Sequence, residues 1–188
     1  MASRTVSAAR QARDDVIGRV ERRLREFLAA ERTRWAAVDD RGTVPVDAVT
    51  DLVAAGGKRL RPAFCAAGFL AAGGTVDDPL VVDAAAGVEL IHTGALIHDD
   101  VLDASELRRG SPAVHTRHSA VHTGSGWLGE PRRYGEGVAI ISGALANVYA
   151  DRLVRDLPPA ARDVDGRPEL QVRGRQHRQP PPDRQGGP

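Results

Sequence analysis

Cysteine and lysine are almost missing from this chain. Its 188 residues include one of each, Cys65 and Lys58. A lone cysteine excludes an internal disulfide. Cys65 sits in an apolar helical pattern, so a buried reduced thiol in a reducing cytoplasm is expected. Lys58 stands against 25 arginines. A GC-rich genome produces such a bias without selection on the protein, which makes the one lysine a position to examine. Net charge is only +1 at pH 7, so no global field points to nucleic acid. The N-terminus, MASRTVSAARQARDD, lacks the apolar core of a signal peptide. No uninterrupted apolar run reaches membrane-spanning length, so no transmembrane segment is expected. Strand patterns are nearly absent, and no internal repeat is present.

What is present reads as all-α. Hydrophobic content of 41% and charged content of 27% describe a globular chain with a real core. Residues 14–34 place Val16, Ile17, Val20, Leu24, Phe27 and Leu28 on one helical face, with Arg and Glu interleaved opposite. A second helix is predicted over 45–55, stopped by Gly56-Gly57, and a third from near Pro62 to Gly73-Gly74. A fourth, long and alanine-rich, starts at Asp78-Pro79 and runs to Asp103. Residues 104–134 read as a loop with room for a short helix, and 135–157 as another alanine-rich helix. From Pro158 the composition changes: seven of the 12 prolines fall in 158–188, with Val164, Leu170 and Val172 the only large apolar residues. Such a segment cannot bury enough surface to offset its ordering entropy, so a disordered tail or an out-of-frame stretch is expected.

The stretch LIHDDVLDASELRRGSPAVH, 96–115, carries the chemistry. Three aspartates close an apolar helix, where the macrodipole disfavours each carboxylate by roughly 0.3–1 kcal/mol. Asp99 and Asp103 are one turn apart, about 5–6 Å between Cβ atoms, and share a stripe with Leu96, His92 and Glu89. Two carboxylates at that spacing suit Mg²⁺, which also takes oxygens from phosphates and water. Arg108 and Arg109 follow, and guanidinium groups beside such a site match a bound diphosphate. Upstream, GGKRLRP (56–62) puts Lys58 and Arg61 at a helix start, where free N–H groups favour an anion; alone it also reads as a basic helix cap.

In that order, GGKRLRP, ELIHTGALIHDDVLD with its DDxxD, and ASELRRGSPAVH resemble the trans-isoprenyl diphosphate synthases, or polyprenyl synthetases, over residues 10–157. The resemblance implies an isoprenoid-synthase helical bundle, of which 1–157 is the N-terminal part, about half. It implies a cytoplasmic, homodimeric prenyltransferase that joins isopentenyl diphosphate to an allylic diphosphate. By resemblance, Asp99, Asp100 and Asp103 carry Mg²⁺, Arg108 meets the allylic diphosphate, and Lys58, Arg61, His92 and Arg109 meet isopentenyl diphosphate. Gly94 and Ala95, just before the aspartates, set product length, and their small size implies geranylgeranyl or longer.

The family carries a second aspartate-rich motif. Asp14-Asp15, Asp39-Asp40 and Asp77-Asp78 all precede the first motif, and no acidic pair follows Asp103. The expectation is a truncated, impaired enzyme whose helices at 79–103 and 135–157 expose apolar faces. A partner-dependent subunit of a two-component synthase is the first alternative. An HD-type phosphohydrolase built on His98-Asp99, and a terpene cyclase, are weaker ones. His115 reads equally as loop cap or ligand contact; His118, His122 and His177 read as surface residues, and Trp35 and Trp127 as packing.

Overall fold

Asp78 starts the helix around which the protein is organised. Its carboxylate accepts the Leu80 N–H at 2.9 Å, and Pro79 fills the first helical position. The computed structural model describes residues 2–155 and 157. It contains α1 (Ala2–Ala36), a 3-10 turn (Asp40–Gly42), α2 (Thr43–Ala54), α3 (Leu60–Ala71) and α4 (Pro79–Leu102). A two-stranded hairpin follows, β1 (Leu107–Arg108) with β2 (Ser111–Pro112), then α5 (Val114–Gly124) and α6 (Pro131–Val154). The expected tail at 158–188, and His177 within it, lie outside the described residues.

The core forms where α1, α2, α4 and α6 meet. Val16, Val20, Leu24 and Leu28 repeat every four residues on α1 and are all at most 1% exposed. They join Val46 and Val49 of α2, Val81, Leu90 and Ile97 of α4, and Ala139, Ala146 and Tyr149 of α6. The end of α1 is tied to α6 by polar groups. Trp35 Nε1 donates to the Tyr149 hydroxyl at 2.9 Å, and the Phe27 ring meets Tyr149 edge to face at 5.3 Å. Buried Glu31 lies within ion-pair distance of Arg34, 3.0 Å, and Arg152, 2.7 Å.

α4 and α6 touch through glycines. A Cβ on Gly94 would lie 2.7 Å from the Gly143 carbonyl oxygen and 3.1 Å from Asn147 Oδ1; one on Gly87 would lie 2.9 Å from Val154 Cγ1. At Gly94 the two backbones approach too closely for a side chain, and at Gly87 the Val154 side chain fills the space. Gly94, expected from the sequence to set product length, is also required to be small by its packing against α6.

Several expectations change. α1 begins twelve residues before the expected start at residue 14, and α6 starts at Pro131 rather than 135, because proline suits a first turn. The 104–134 loop holds the short helix it had room for, eleven residues long, and also a hairpin that was not expected. Cys65 is half-buried rather than buried. By length and composition alone, α4 and α6 are both apolar enough to cross a membrane, contrary to expectation. α4 is nonetheless the central core helix, more than half buried and carrying Glu89, Asp99 and Asp100. Exposed Ile91 and Leu102 on α4, with Ile140, Ile141 and Val148 on α6, give these helices the open apolar positions that were expected.

Histidines of α5 also differ from their expected surface positions. His122 is 5% exposed, with its ring against Trp127 and Tyr134. His118 is half-buried with Nε2 enclosed; burial, then Arg117, lowers its pKa, and Asp51 opposes them. A lowered folded pKa means that the unfolded chain takes the proton first, so stability is lost as pH falls below the ordinary 6.5. Urea midpoints at pH about 7.5 and about 5.5 should show this acid loss, and His118→Asn should reduce it. An equal loss in wild type and variant would exclude His118 as a source.

Candidate diphosphate site

The GGKRLRP turn owes its shape to positive backbone angles. Gly56, Gly57 and Arg59 have φ of +78°, +152° and +46°. The left-handed residue at Arg59 turns its side chain inward and leaves Lys58 and Arg61 exposed on either side. Arg59 itself is 8% exposed. Its Nη1 donates to Glu89 Oε1 at 2.5 Å, its Nη2 to the Val53 carbonyl at 2.6 Å, and its Nε to Glu21 Oε1 at 3.3 Å.

One turn beyond Glu89 on α4 comes His92. Arg61 Nη1 donates to His92 Nε2 at 3.0 Å, which assigns the neutral ring proton to Nδ1. Burial, followed by Arg61, holds the His92 pKa below its usual value; Arg109 and Arg108 act in the same direction, and Glu89 opposes them. Fields from three arginines thus converge on one half-buried, neutral imidazole. Such a place favours an anion.

The hairpin completes the arrangement. Arg109, at φ +53°, reaches back across the GGK turn: its Nη1 donates to the Leu52 carbonyl at 3.4 Å. A Cβ on Gly57 would sit 3.0 Å from Arg109 Nη2, so the guanidinium lies close against a backbone whose φ of +152° favours glycine. Two cationic motifs some 50 residues apart in sequence are thereby docked on each other. Lys58, Arg61, His92 and Arg109, all taken from the sequence, belong to this one region.

Arg108 points differently. Its Nε donates to both oxygens of Asp100, at 2.9 and 3.1 Å, and its Nη2 donates to Oδ1 as well. That hydrogen bonding is the main reason the Arg108 pKa is raised; burial opposes it, and the charges of Asp100, Asp99 and Asp103 add to it. Asp100 is 2% exposed, whereas Asp99 and Asp103 are exposed at the end of α4. Asp100, grouped with its neighbours from the sequence, instead holds Arg108. Among the described residues no three His, Cys, Asp or Glu side chains cluster as a metal site. Two open carboxylates one turn apart still fit Mg²⁺, provided a diphosphate and water supply the other oxygens.

Other candidates separate. Ala95 is half-buried on α4, one turn before Asp99, with exposed Ile91 a turn further on. His98 Nε2 is 3.1 Å from the Ile140 carbonyl, and its ring fills the space beside Gly143, so its contacts are with α6. That disfavours an HD-type metal pair. Arg59 and Glu89 are the residues that sequence reading underrated. Glu89 interrupts the apolar run GVELI, and a carboxylate in such a run signals a buried cation. No signal in the sequence distinguishes Arg59 from its basic neighbours.

Comparison with known proteins follows the same lines. The family model described as polyprenyl synthetase matches residues 45–169. A short chain isoprenyl diphosphate synthase of Methanothermobacter thermautotrophicus is 44% identical over 88 residues, 47% of this chain and 26% of that protein. Geranylgeranyl pyrophosphate synthase 12 of Arabidopsis thaliana is 37% identical over 123 residues, 63% of this chain and 32% of that one. The crystal structure of geranylgeranyl pyrophosphate synthase from Corynebacterium glutamicum, complexed with isoprenyl diphosphate and magnesium, aligns with a TM-score of 0.71 and 38% identity. That alignment covers 78% of this chain and 43% of the other. This chain thus spans less than half the length of each of these three proteins.

Proposed function

Because this chain belongs to the polyprenyl synthetase family, we propose that it binds an allylic diphosphate at Asp99, Asp103 and Arg108 and isopentenyl diphosphate at Lys58, Arg61, His92 and Arg109, for prenyl transfer between them. The observation that carries this reading is the docking of Arg109 on Gly57 and Leu52, which joins the two cationic motifs beside His92. Asp99 and Asp103 hold Mg²⁺ in this reading. When bound there, the metal neutralises charge on the diphosphate. Arg108, aimed by Asp100, donates to the diphosphate that departs from the allylic carbon and so stabilises developing negative charge. Arg61 and Arg109 hold the second diphosphate, and neutral His92 offers it an N–H. The prenyl chain lies along α4 over Ala95 and Ile91. The expected assembly is a homodimer in the cytoplasm.

Binding is the direct test. Titration calorimetry with inorganic diphosphate should show affinity that depends on Mg²⁺. Asp99→Asn or Asp103→Asn should weaken the Mg²⁺-dependent part about 10–100-fold. Diphosphate binding that ignores Mg²⁺ would count against the carboxylates as metal ligands. For product length, Ala95→Phe in a full-length counterpart should shorten the chain made; an unchanged product would sink that role.

The sequence contains no second acidic pair after Asp103, so turnover by these 188 residues is expected to be low. Rates typical of enzymes would overturn that. One observation favours a second reading, a subunit that works with a partner: Leu102 is 77% and Ile141 57% exposed on the two central helices. A stoichiometric second chain that restores turnover would decide for it.

A further inference from the structure

The geometry points to Arg59 and Glu89 as positioning residues, a buried ion pair that latches the turn at 56–60 so that Lys58 and Arg61 project beside His92. The inference rests on the diphosphate reading for its purpose, though not for its structural content. Three observations carry it. First, both side chains are nearly sealed, at 7% and 5% exposure, and they meet at 2.5 Å. Second, Arg59 joins three helices at one point: Glu21 of α1, the Val53 carbonyl near the end of α2, and Glu89 of α4. Third, its backbone is left-handed at φ +46°, a conformation strained for a residue with a Cβ, which persists only where surroundings enforce it.

A guanidinium suits this place because its planar fork serves three acceptors at once, which an ammonium does not. The consequence is a fixed register. Glu89 and His92 lie three residues apart on one side of α4, so an anchor on Glu89 sets where the first turn of α3 meets His92. The 3.0 Å contact between Arg61 and His92 is the result. Neither Arg59 nor Glu89 is exposed enough to meet a diphosphate. Their effect on binding runs through Lys58 and Arg61.

The single lysine makes the latch measurable. Endoproteinase Lys-C cleaves after lysine, and the only such bond in the chain is Lys58–Arg59. Breaking one half of the pair leaves a buried charge and risks unfolding, so the informative variant is Arg59→Met with Glu89→Met. Replacing a buried pair by apolar groups of similar size is often neutral for stability. Glu89→Gln serves as a second variant that leaves the cleaved bond unchanged. Each cleavage rate is referred to that of the same variant in denaturing urea. The expected result is cleavage about tenfold faster than wild type in both variants, with the double variant's unfolding midpoint near that of wild type. Affinity for inorganic diphosphate with Mg²⁺ should fall about 3–10-fold in parallel. Unchanged protection of the Lys58–Arg59 bond overturns the latch. Faster cleavage with undiminished diphosphate affinity overturns its positioning role. If wild type binds no diphosphate at all, the proposed function fails, and the proteolysis result decides the latch by itself.

Discussion

Arg108→Met is expected to destabilise the protein by about 3–5 kcal/mol, the usual result of leaving a buried charge without its partner. The stranded group is Asp100, 2% exposed, whose carboxylate receives hydrogen bonds from Arg108 and from no other described side chain. At roughly 2–4 °C per kcal/mol for a domain of this size, the unfolding midpoint should fall by about 6–20 °C. Thermal unfolding followed by circular dichroism measures it. Adding Asp100→Leu should recover much of the loss, because the pair and its desolvation then disappear together. A single variant within about 1 kcal/mol of wild type would mean that Asp100 finds water or another donor. Asp100→Asn separates the roles of the three aspartates. It keeps the shape of the site, yet it should weaken diphosphate binding by releasing Arg108 rather than by removing a metal ligand.

Gly135→Ala should destabilise by about 3 kcal/mol or more, although helix propensity alone argues the reverse. In the interior of a helix, alanine is normally better than glycine by roughly 0.5–1 kcal/mol. Here the added Cβ would lie 2.9 Å from the Ser119 backbone nitrogen, and closer still to the His115 carbonyl oxygen and the Ser119 hydroxyl. Two of these three atoms are α5 backbone, which cannot swing aside as a long side chain can. α5 must then lift from α6, and overpacking of this kind overrides propensity. Gly137, one half-turn on, has nothing within 4 Å of its would-be Cβ. Gly137→Ala should therefore stabilise by about 0.5–1 kcal/mol. Denaturant titration of the two variants side by side checks both signs. A stabilised Gly135→Ala protein would show that the α5–α6 contact is looser than described.

These contrasts also show what the sequence could and could not disclose. α4 was legible from Asp78-Pro79 through its apolar body, because capping chemistry and composition act locally. α5 was not. Its sequence VHTRHSAVHTG has no apolar stripe, and the helix is held by Val114, His122 and close backbone contact with α6. Periodicity cannot register a helix whose support comes from another element. At the site, the carboxylates that stand open, Asp99 and Asp103, were found by their one-turn spacing. The same stripe also contains Glu89, which is buried, because the stripe runs along the edge of the core-facing side of α4. Which members of such an edge turn inward depends on a distant partner, and Arg59 approaches from a turn 30 residues away. Asp100 was misjudged for the same reason: its partner Arg108 arrives through a hairpin whose strands are two residues each, too short to leave a pattern.

The pairing of Trp35 with Tyr149, and of Glu31 with Arg152, has a consequence for how the molecule is made. Trp35 and Tyr149 are 114 residues apart. A ribosome adding about 5–20 residues each second leaves α1 without those partners for about 6–23 s, the quotient of that separation and that rate. Throughout this interval the face of Val16, Val20, Leu24 and Leu28 already has α2 and α4 to pack on, but Trp35 lacks its acceptor and Glu31 has no Arg152 beside it. The last described helix thus completes only the C-terminal end of the first, and the ion pair of Glu31 with Arg152 forms only once Arg152 has left the exit tunnel. Ribosome-bound chains halted with Tyr149 and Arg152 still inside should keep the end of α1 around Glu31 and Trp35 open to proteases, and release past that point should end this susceptibility.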